Sequence, residues 1–188
     1  MNVYDFDNTI YRGESGADLF FFYLKRDPKL LRKVPWGLKL LAQYKSGRMT
    51  LQQVLETYSD EVVGYWQTIG DFDGDVVRFW DKNEHKIKPF YLSRRRDDDV
   101  ILSACPDIVL EEICQRLNIR QYIGTETDRE TRRLVRFCYR ENKAAAFRER
   151  FPGAVVENFY TDSFNDSAMI ELAQNAYLVK GEKCRKIK

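Results

Sequence analysis

The chain has 188 residues, enough for one domain carrying a modest insertion and a proper core. Its 31 lysines and arginines against 29 acids leave a formal charge of +2, which excludes the strongly basic footprint of a nucleic-acid binder. A single histidine, His85, excludes His-clustered metal sites, and four cysteines without CxxC spacing (Cys105, Cys114, Cys138, Cys184) read as free thiols of a reducing compartment.

In chain order, Val3, Tyr4 and Phe6 predict a short buried strand. Asp5 and Asp7 sit two residues apart on it, and side chains at i and i+2 of a strand share a face. A turn after Asp7 would aim its side chain and carbonyl at the same point as Asp5. Two such acids repel unless a cation or a shared proton separates them. Taken alone, Asp-x-Asp reads slightly better as turn chemistry. From Glu14 to His85 the sequence is helical. Ala17–Leu24 is apolar almost all round and predicts a buried helix. A helix over Pro28–Tyr44 would carry Leu30, Leu31, Val34, Leu38, Leu41 and Ala42 as its apolar stripe, broken at Ser46-Gly47. Thr50 is the expected N-cap of the next helix, with Gln53 three residues on, and helix continues over Val62–Trp80 with a break at Gly70–Gly74.

After Lys86 strands and helices alternate. Strands are expected at Val100–Leu102, Gln121–Thr125, Leu134–Cys138, Ala154–Thr161, with Val155 and Val156 its firmest core positions, and Ala176–Val179. Helices are expected at Ile108–Leu117, capped by Asp107, at Lys143–Phe151 and at Asn165–Ala173, with Arg94–Asp99 a solvated connection. The alternation predicts an α/β fold, a Rossmann-like parallel sheet flanked by helices, whose ligands bind at the carboxyl ends of the strands. The neighbourhood of that rim receives Asp5 and Asp7, Ser103, Lys143, and Asp162 with Asp166. Together they suit phosphoryl transfer: a carboxylate nucleophile, oxygen ligands for Mg²⁺, a lysine and a hydroxyl for the phosphoryl oxygens, and a second acid for proton transfer.

These residues resemble the four motifs of the haloacid dehalogenase (HAD) superfamily, in its phosphoserine-phosphatase-like branch (subfamily IB). Asp5-Phe6-Asp7-Asn8-Thr9 is similar to the DxDxT motif, Ser103 and Lys143 to the second and third motifs, and Asp162-Ser163-Phe164-Asn165-Asp166 to the fourth. Thr161 and Ser163 depart from the customary glycines of that last motif. The resemblance implies Asp5 as nucleophile and Mg²⁺ ligand, and Asp7 as general acid/base whose carbonyl also binds the metal. It further implies Asp162 as the remaining metal ligand, with Asn165 and Asp166 behind it, and Ser103, Ala104 and Lys143 as phosphate-binding groups. Residues 14–85 would form a C1-type helical cap on a core of 1–13 and 86–188. Within it Glu14 matches an acid that recognises a substrate amine in phosphoserine phosphatases, and Arg48 could meet a second anionic group. The second acid, Asp7, argues against carbon–halogen cleavage. The favoured expectation is a cytoplasmic Mg²⁺-dependent phosphatase. It would act on a small phosphorylated metabolite, phosphoserine-like among others, through an aspartyl phosphate, without nucleic acid or membrane insertion. A non-catalytic binding protein and a phosphotransferase remain open.

Overall fold

The computed structural model describes residues 1–49 and 51–188. Strand β1 (Asn2–Asp5) leads into a helical stretch: α1 (Ser15–Leu24), a 3₁₀ segment (Pro28–Lys33), α2 (Val34–Lys45), α3 (Leu51–Gln67), α4 (Phe72–Asn83) and the short α5 (Pro89–Leu92). There follow β2 (Val100–Pro106), α6 (Asp107–Arg116), β3 (Gln121–Thr127), β4 (Leu134–Arg136), α7 (Glu141–Arg150), β5 (Asn158–Thr161), α8 (Ser167–Leu172), β6 (Asn175–Lys180) and β7 (Lys183–Lys186).

The seven strands form one sheet in the order β4-β3-β2-β1-β5-β6-β7. The five central strands are parallel, and β4 and β7 run antiparallel at the edges. β1 lies between β2 and β5 with Val3 opposite both Val100 and Phe159, and it is buried throughout, as a strand covered on both faces must be. Alternation splits its side chains between two cores. Val3 joins Val100, Leu102, Phe147, Phe159 and Met169 on one face, whereas Tyr4 joins Ile101, Leu110, Phe79 and Trp80 on the other. On that second face Tyr4, Tyr160 and Tyr177 stack in a ladder across three strands, with centroids 4.5 and 4.9 Å apart. The chain builds β2 and β3 on one side of β1, then crosses to place β5 and β6 on the other. Such a switch point opens a crevice at the carboxyl ends of the strands.

Trp80 ties the helices to this crevice. Its indole N–H donates to the Val109 carbonyl (2.8 Å), and its ring meets Phe6 and Tyr11 edge-on at 6.0 and 5.7 Å.

The structure corrects several expectations. α1 is buried along one stripe only: Leu19, Phe22 and Tyr23 are enclosed, whereas Phe21 is 56% exposed. The expected helix over 28–44 begins as a 3₁₀ segment, Leu31, Val34 and Leu38 are exposed, and among the described side chains Leu40 is buried and Leu30 partly so. Thr50 and the side chains of Leu41 and Leu55 lie outside the described residues. β5 starts at Asn158 rather than Ala154, so Val155 is exposed while Val156 is buried. β4 is shorter than expected, β7 was not foreseen, and the helix expected at 165–173 is a 3₁₀ turn followed by α8. The Arg94–Asp99 run is solvated only as far as Asp98, since Asp99 is buried.

Burial pushes the Asp99 carboxyl up to about 6, against the pull of the Arg96 N–H and the Asn2 side chain. A carboxyl with a raised folded-state pKa binds more protons folded than unfolded, so its burden on stability is small at pH 4 and complete above about pH 6. Asp99→Asn is therefore expected to raise stability by on the order of 2 kcal/mol at pH 7.5 and to lose most of that advantage at pH 4, as read by urea unfolding at both pH values.

Candidate active site

Asp5 is the last residue of β1 and is almost fully buried. Its Oδ1 accepts from the Lys143 ammonium (2.6 Å) and its Oδ2 from the Thr9 hydroxyl (3.0 Å). Lys143, in the first turn of α7, also donates to Asp166 Oδ2 (3.1 Å), which takes a second contact from the Thr161 hydroxyl (2.8 Å). Because Tyr4 pairs with Tyr160, Asp5 stands level with Thr161, and Asp162 follows directly at the same edge.

Immediately after β1 the chain turns. The Phe6 carbonyl accepts from the amides of Thr9, Ile10 and Tyr11 at 3.2, 2.8 and 2.9 Å, and Asn8 adopts a left-handed φ of 56°. This turn brings Ser15 back to Asp7, whose Oδ1 accepts the Ser15 N–H at 2.7 Å. Glu14 reaches the same turn, its Oε1 accepting from the Asn8 side-chain amide at 2.5 Å, and the buried Lys88 donates to the Asn8 carbonyl.

On the other side of β1 the pairing of β2 with β3 slips between Leu102 and Pro106. Ser103 is fully buried within the slip and its Oγ accepts the Cys105 N–H (3.0 Å), while Ala104 is exposed and its carbonyl accepts from the Thr125 hydroxyl (2.7 Å). Gly124 runs behind this bend: a Cβ there would lie 2.7 Å from the Cys105 carbonyl oxygen and 2.9 Å from the Asp107 backbone.

Two carboxylates, Asp5 and Asp166, meet one buried ammonium, and Asp7, Asp162 and Glu14 lie near Asp5. Burial alone would lower the Lys143 pKa, but Asp5 and Asp166 outweigh it and keep the ammonium charged. Burial raises the Asp7 carboxyl to about 7, with Asp5 and Glu14 adding to the shift. Asp162 is raised to about 6 by burial and then by Asp5, Glu14 and Asp166. The excess of negative charge fits a hard divalent cation. Among the described residues no three Asp, Glu, Cys or His side chains gather as a metal-binding group. Mg²⁺ keeps several waters and needs only one or two carboxylates, so two acids and a carbonyl suffice.

Of the residues singled out from sequence, Asp5, Lys143 and Asp166 are joined directly, Asp162 and Glu14 belong to the same electrostatic cluster, and Ser103 lies on the neighbouring strand. Asn165 is exposed in the turn after Asp162, and Arg48 is exposed in the turn after α2. Sequence reasoning missed Thr9, Thr161, Ser15 and Lys88. The threonines sit inside recognisable motifs, whereas nothing local marks Lys88 as buried beside a turn 80 residues away.

The family model of haloacid dehalogenase-like hydrolases matches residues 3–171. The chain belongs to the haloacid dehalogenase-like hydrolase family. In fold it is similar to a protein of unknown function from Bordetella pertussis Tohama I (TM-score 0.74, 17% identity, covering 94% of this chain and 87% of that one). It is also similar to a phosphoserine phosphohydrolase-like protein from Francisella tularensis (0.55, 14%, 94% and 86%) and to phosphoserine phosphatase from T. onnurineus (0.53, 18%, 94% and 81%). No curated protein matches the chain. Among the described residues no helix is long and apolar enough to cross a membrane.

Removing the ammonium would leave Asp5 and Asp166 buried without compensation. Lys143→Met is expected to lower stability by about 3–5 kcal/mol in metal-free buffer at pH 7.5, and adding Asp166→Asn should restore part of the loss, both read by urea unfolding.

Proposed function

We propose that this chain is a Mg²⁺-dependent phosphomonoesterase in which Asp5 is the nucleophile. The observation that carries the reading is the buried contact of Asp5 with Lys143 at the rim of the central strand, flanked by Asp7, Ser103 and Asp162.

Asp5 and Asp162, with the Asp7 carbonyl, would hold Mg²⁺, and Asn165 and Asp166 would orient its waters; when bound, the ion supplies positive charge for the phosphoryl oxygens. The Ser103 hydroxyl already accepts from the Cys105 N–H, which leaves its proton free to donate to a phosphoryl oxygen alongside the Ala104 N–H. Lys143 neutralises the same group and fixes the orientation of Asp5.

An oxygen of Asp5 attacks phosphorus as the ester P–O bond breaks, and the departing alkoxide takes its proton from Asp7. Asp7, then a carboxylate, takes a proton from water as that water attacks phosphorus. The acyl-phosphate P–O bond breaks, inorganic phosphate leaves and Asp5 is restored. The Ser15 N–H on one oxygen of Asp7 holds the carboxyl in place for both transfers. Residues 14–85 act as a cap that excludes bulk water from the activated ester. An amine-bearing ester of the phosphoserine kind would place its ammonium beside Glu14, whose carboxylate is bonded to Asn8 in this structure. The four free thiols suit a cytoplasmic setting.

Wild-type protein with Mg²⁺ is expected to hydrolyse p-nitrophenyl phosphate, and Asp5→Asn to lower kcat by about three orders of magnitude or more. Absence of turnover in the wild type would instead support a binding protein. Asp7→Asn should cost about 10²–10⁴-fold on alkyl phosphates and less on p-nitrophenyl phosphate, whose leaving group needs little protonation. Asp162→Ala should weaken Mg²⁺ binding itself, measured by titration calorimetry, and normal affinity there would remove Asp162 from the ligand set.

A further inference from the structure

Between α1, the 3₁₀ segment with α2, and α3 lies a cavity of about 880 Å³, towards the upper end of the range for small-molecule sites. Its walls are apolar, with Phe20 and Phe21 from α1, Val34 and Leu38 from α2, and Tyr65 and Trp66 from α3. The protein's own side chains leave it open: Phe21 and Leu38 remain 56% and 63% exposed. Gly16, Gly37 and Gly64, one on each helix, also border it, and a Cβ at any of the three would meet nothing within 4 Å. Glycine is a poor helix former, so these positions carry a cost that packing within the chain does not return.

The cavity begins beside the acid that Proposed function makes the proton donor. Gly16 follows Ser15, whose N–H is bonded to Asp7, and consecutive Cα atoms are about 3.8 Å apart. At α3, Asp60 borders both this cavity and a second one of about 550 Å³, which is also bordered by Arg140 and Asn142 next to Lys143. The charged groups at the cavity are Lys33, paired with Glu61 at 2.6 Å, and Asp60, while the chain that leads through α2 is basic. From residue 28 to residue 55 the sequence holds six basic residues (Lys29, Arg32, Lys33, Lys39, Lys45, Arg48) and no acid.

We infer that the substrate is a phosphomonoester of a long hydrocarbon chain, with its phosphate at Asp5 and its chain in this cavity. The inference rests on the phosphatase reading above and names the organic group that reading leaves open. A small polar ester would leave the apolar walls facing water, whereas a hydrocarbon chain covers them.

The test is the chain-length dependence of kcat/KM for n-alkyl phosphates from butyl to dodecyl, below their micellar concentrations, with p-nitrophenyl phosphate as reference. Each added methylene is expected to raise kcat/KM by about threefold to fourfold until the cavity is full. Gly64→Phe and Gly37→Leu, which fill it from two different helices, should each lower the dodecyl-to-butyl ratio at least tenfold. The ratio is taken within one preparation, so a loss of folded enzyme cancels. A flat chain-length profile with normal p-nitrophenyl phosphate turnover would overturn the inference and leave the phosphatase reading standing. No turnover of any ester would overturn both. A gain that persists in both filled variants, or that arises only above the micellar concentration, would place the chain elsewhere or on a lipid surface and overturn it. So would light scattering that shows a wild-type dimer broken by the filled variants, since the cavity would then belong to a second copy.

Discussion

A single buried ammonium organises the carboxyl edge of this sheet. Lys143 arrives from the first turn of α7 and joins the end of β1 to the turn after β5 through Asp5 and Asp166. An ammonium in that position is tolerable only because two carboxylates meet it, and those carboxylates are tolerable only because of the ammonium. The hydroxyls of Thr9 and Thr161 complete the contacts. Burial first, and then the neighbouring acids Asp5 and Glu14, make Asp7 and Asp162 hold their protons more tightly. The site is therefore poised to accept more positive charge, which is what a dianionic phosphate also requires before it can approach.

The sheet delivers these groups, and the helices hold the turn that carries Asp7. Phe6 and Tyr11 frame the turn after β1, and Trp80 of α4 packs edge-on against both while bonding to the start of α6. The helical stretch between β1 and β2 is thus fastened to the turn that carries Asp7. Its outer helices are packed more loosely: α1, α2 and α3 leave a large apolar hollow, and their surface carries bare leucines and a phenylalanine. The tight half secures the chemistry, and the hollow half is where the organic part of a ligand can be accommodated.

Much of this was legible in the sequence because the relevant signals are local. Asp5 and Asp7 announce themselves by spacing, and Ser103, Lys143 and Asp162 by following apolar strands or opening helices. What escaped depends on partners distant in the chain. Lys88 looks like any lysine before a proline, and Thr9 looks like turn chemistry, until the fold sets them against Asn8 and Asp5. Val155 reads as core because it opens an apolar run, whereas the chain enters the sheet only after the Glu157 amide bonds to the Met1 carbonyl (3.0 Å). β7 escaped for the opposite reason: its four residues are all exposed and three are basic, the composition of a protected edge rather than of a core. Leu31 and Leu38 have helical spacing, but the stretch begins as a 3₁₀ segment and both are exposed.

The tight passage at Gly124 bears on how this molecule can change over time. Backbone atoms of Cys105 and Asp107 lie closer than 3 Å to where any side chain would begin, so the position admits no larger residue without displacing the bend beyond Ser103. Drift that recolours the helices or rewrites the lysine-rich edge has no such barrier. Among the described residues Gly124 is the glycine whose side chain would run into the backbone of a neighbouring strand, and the bend beyond Ser103 depends on its having none.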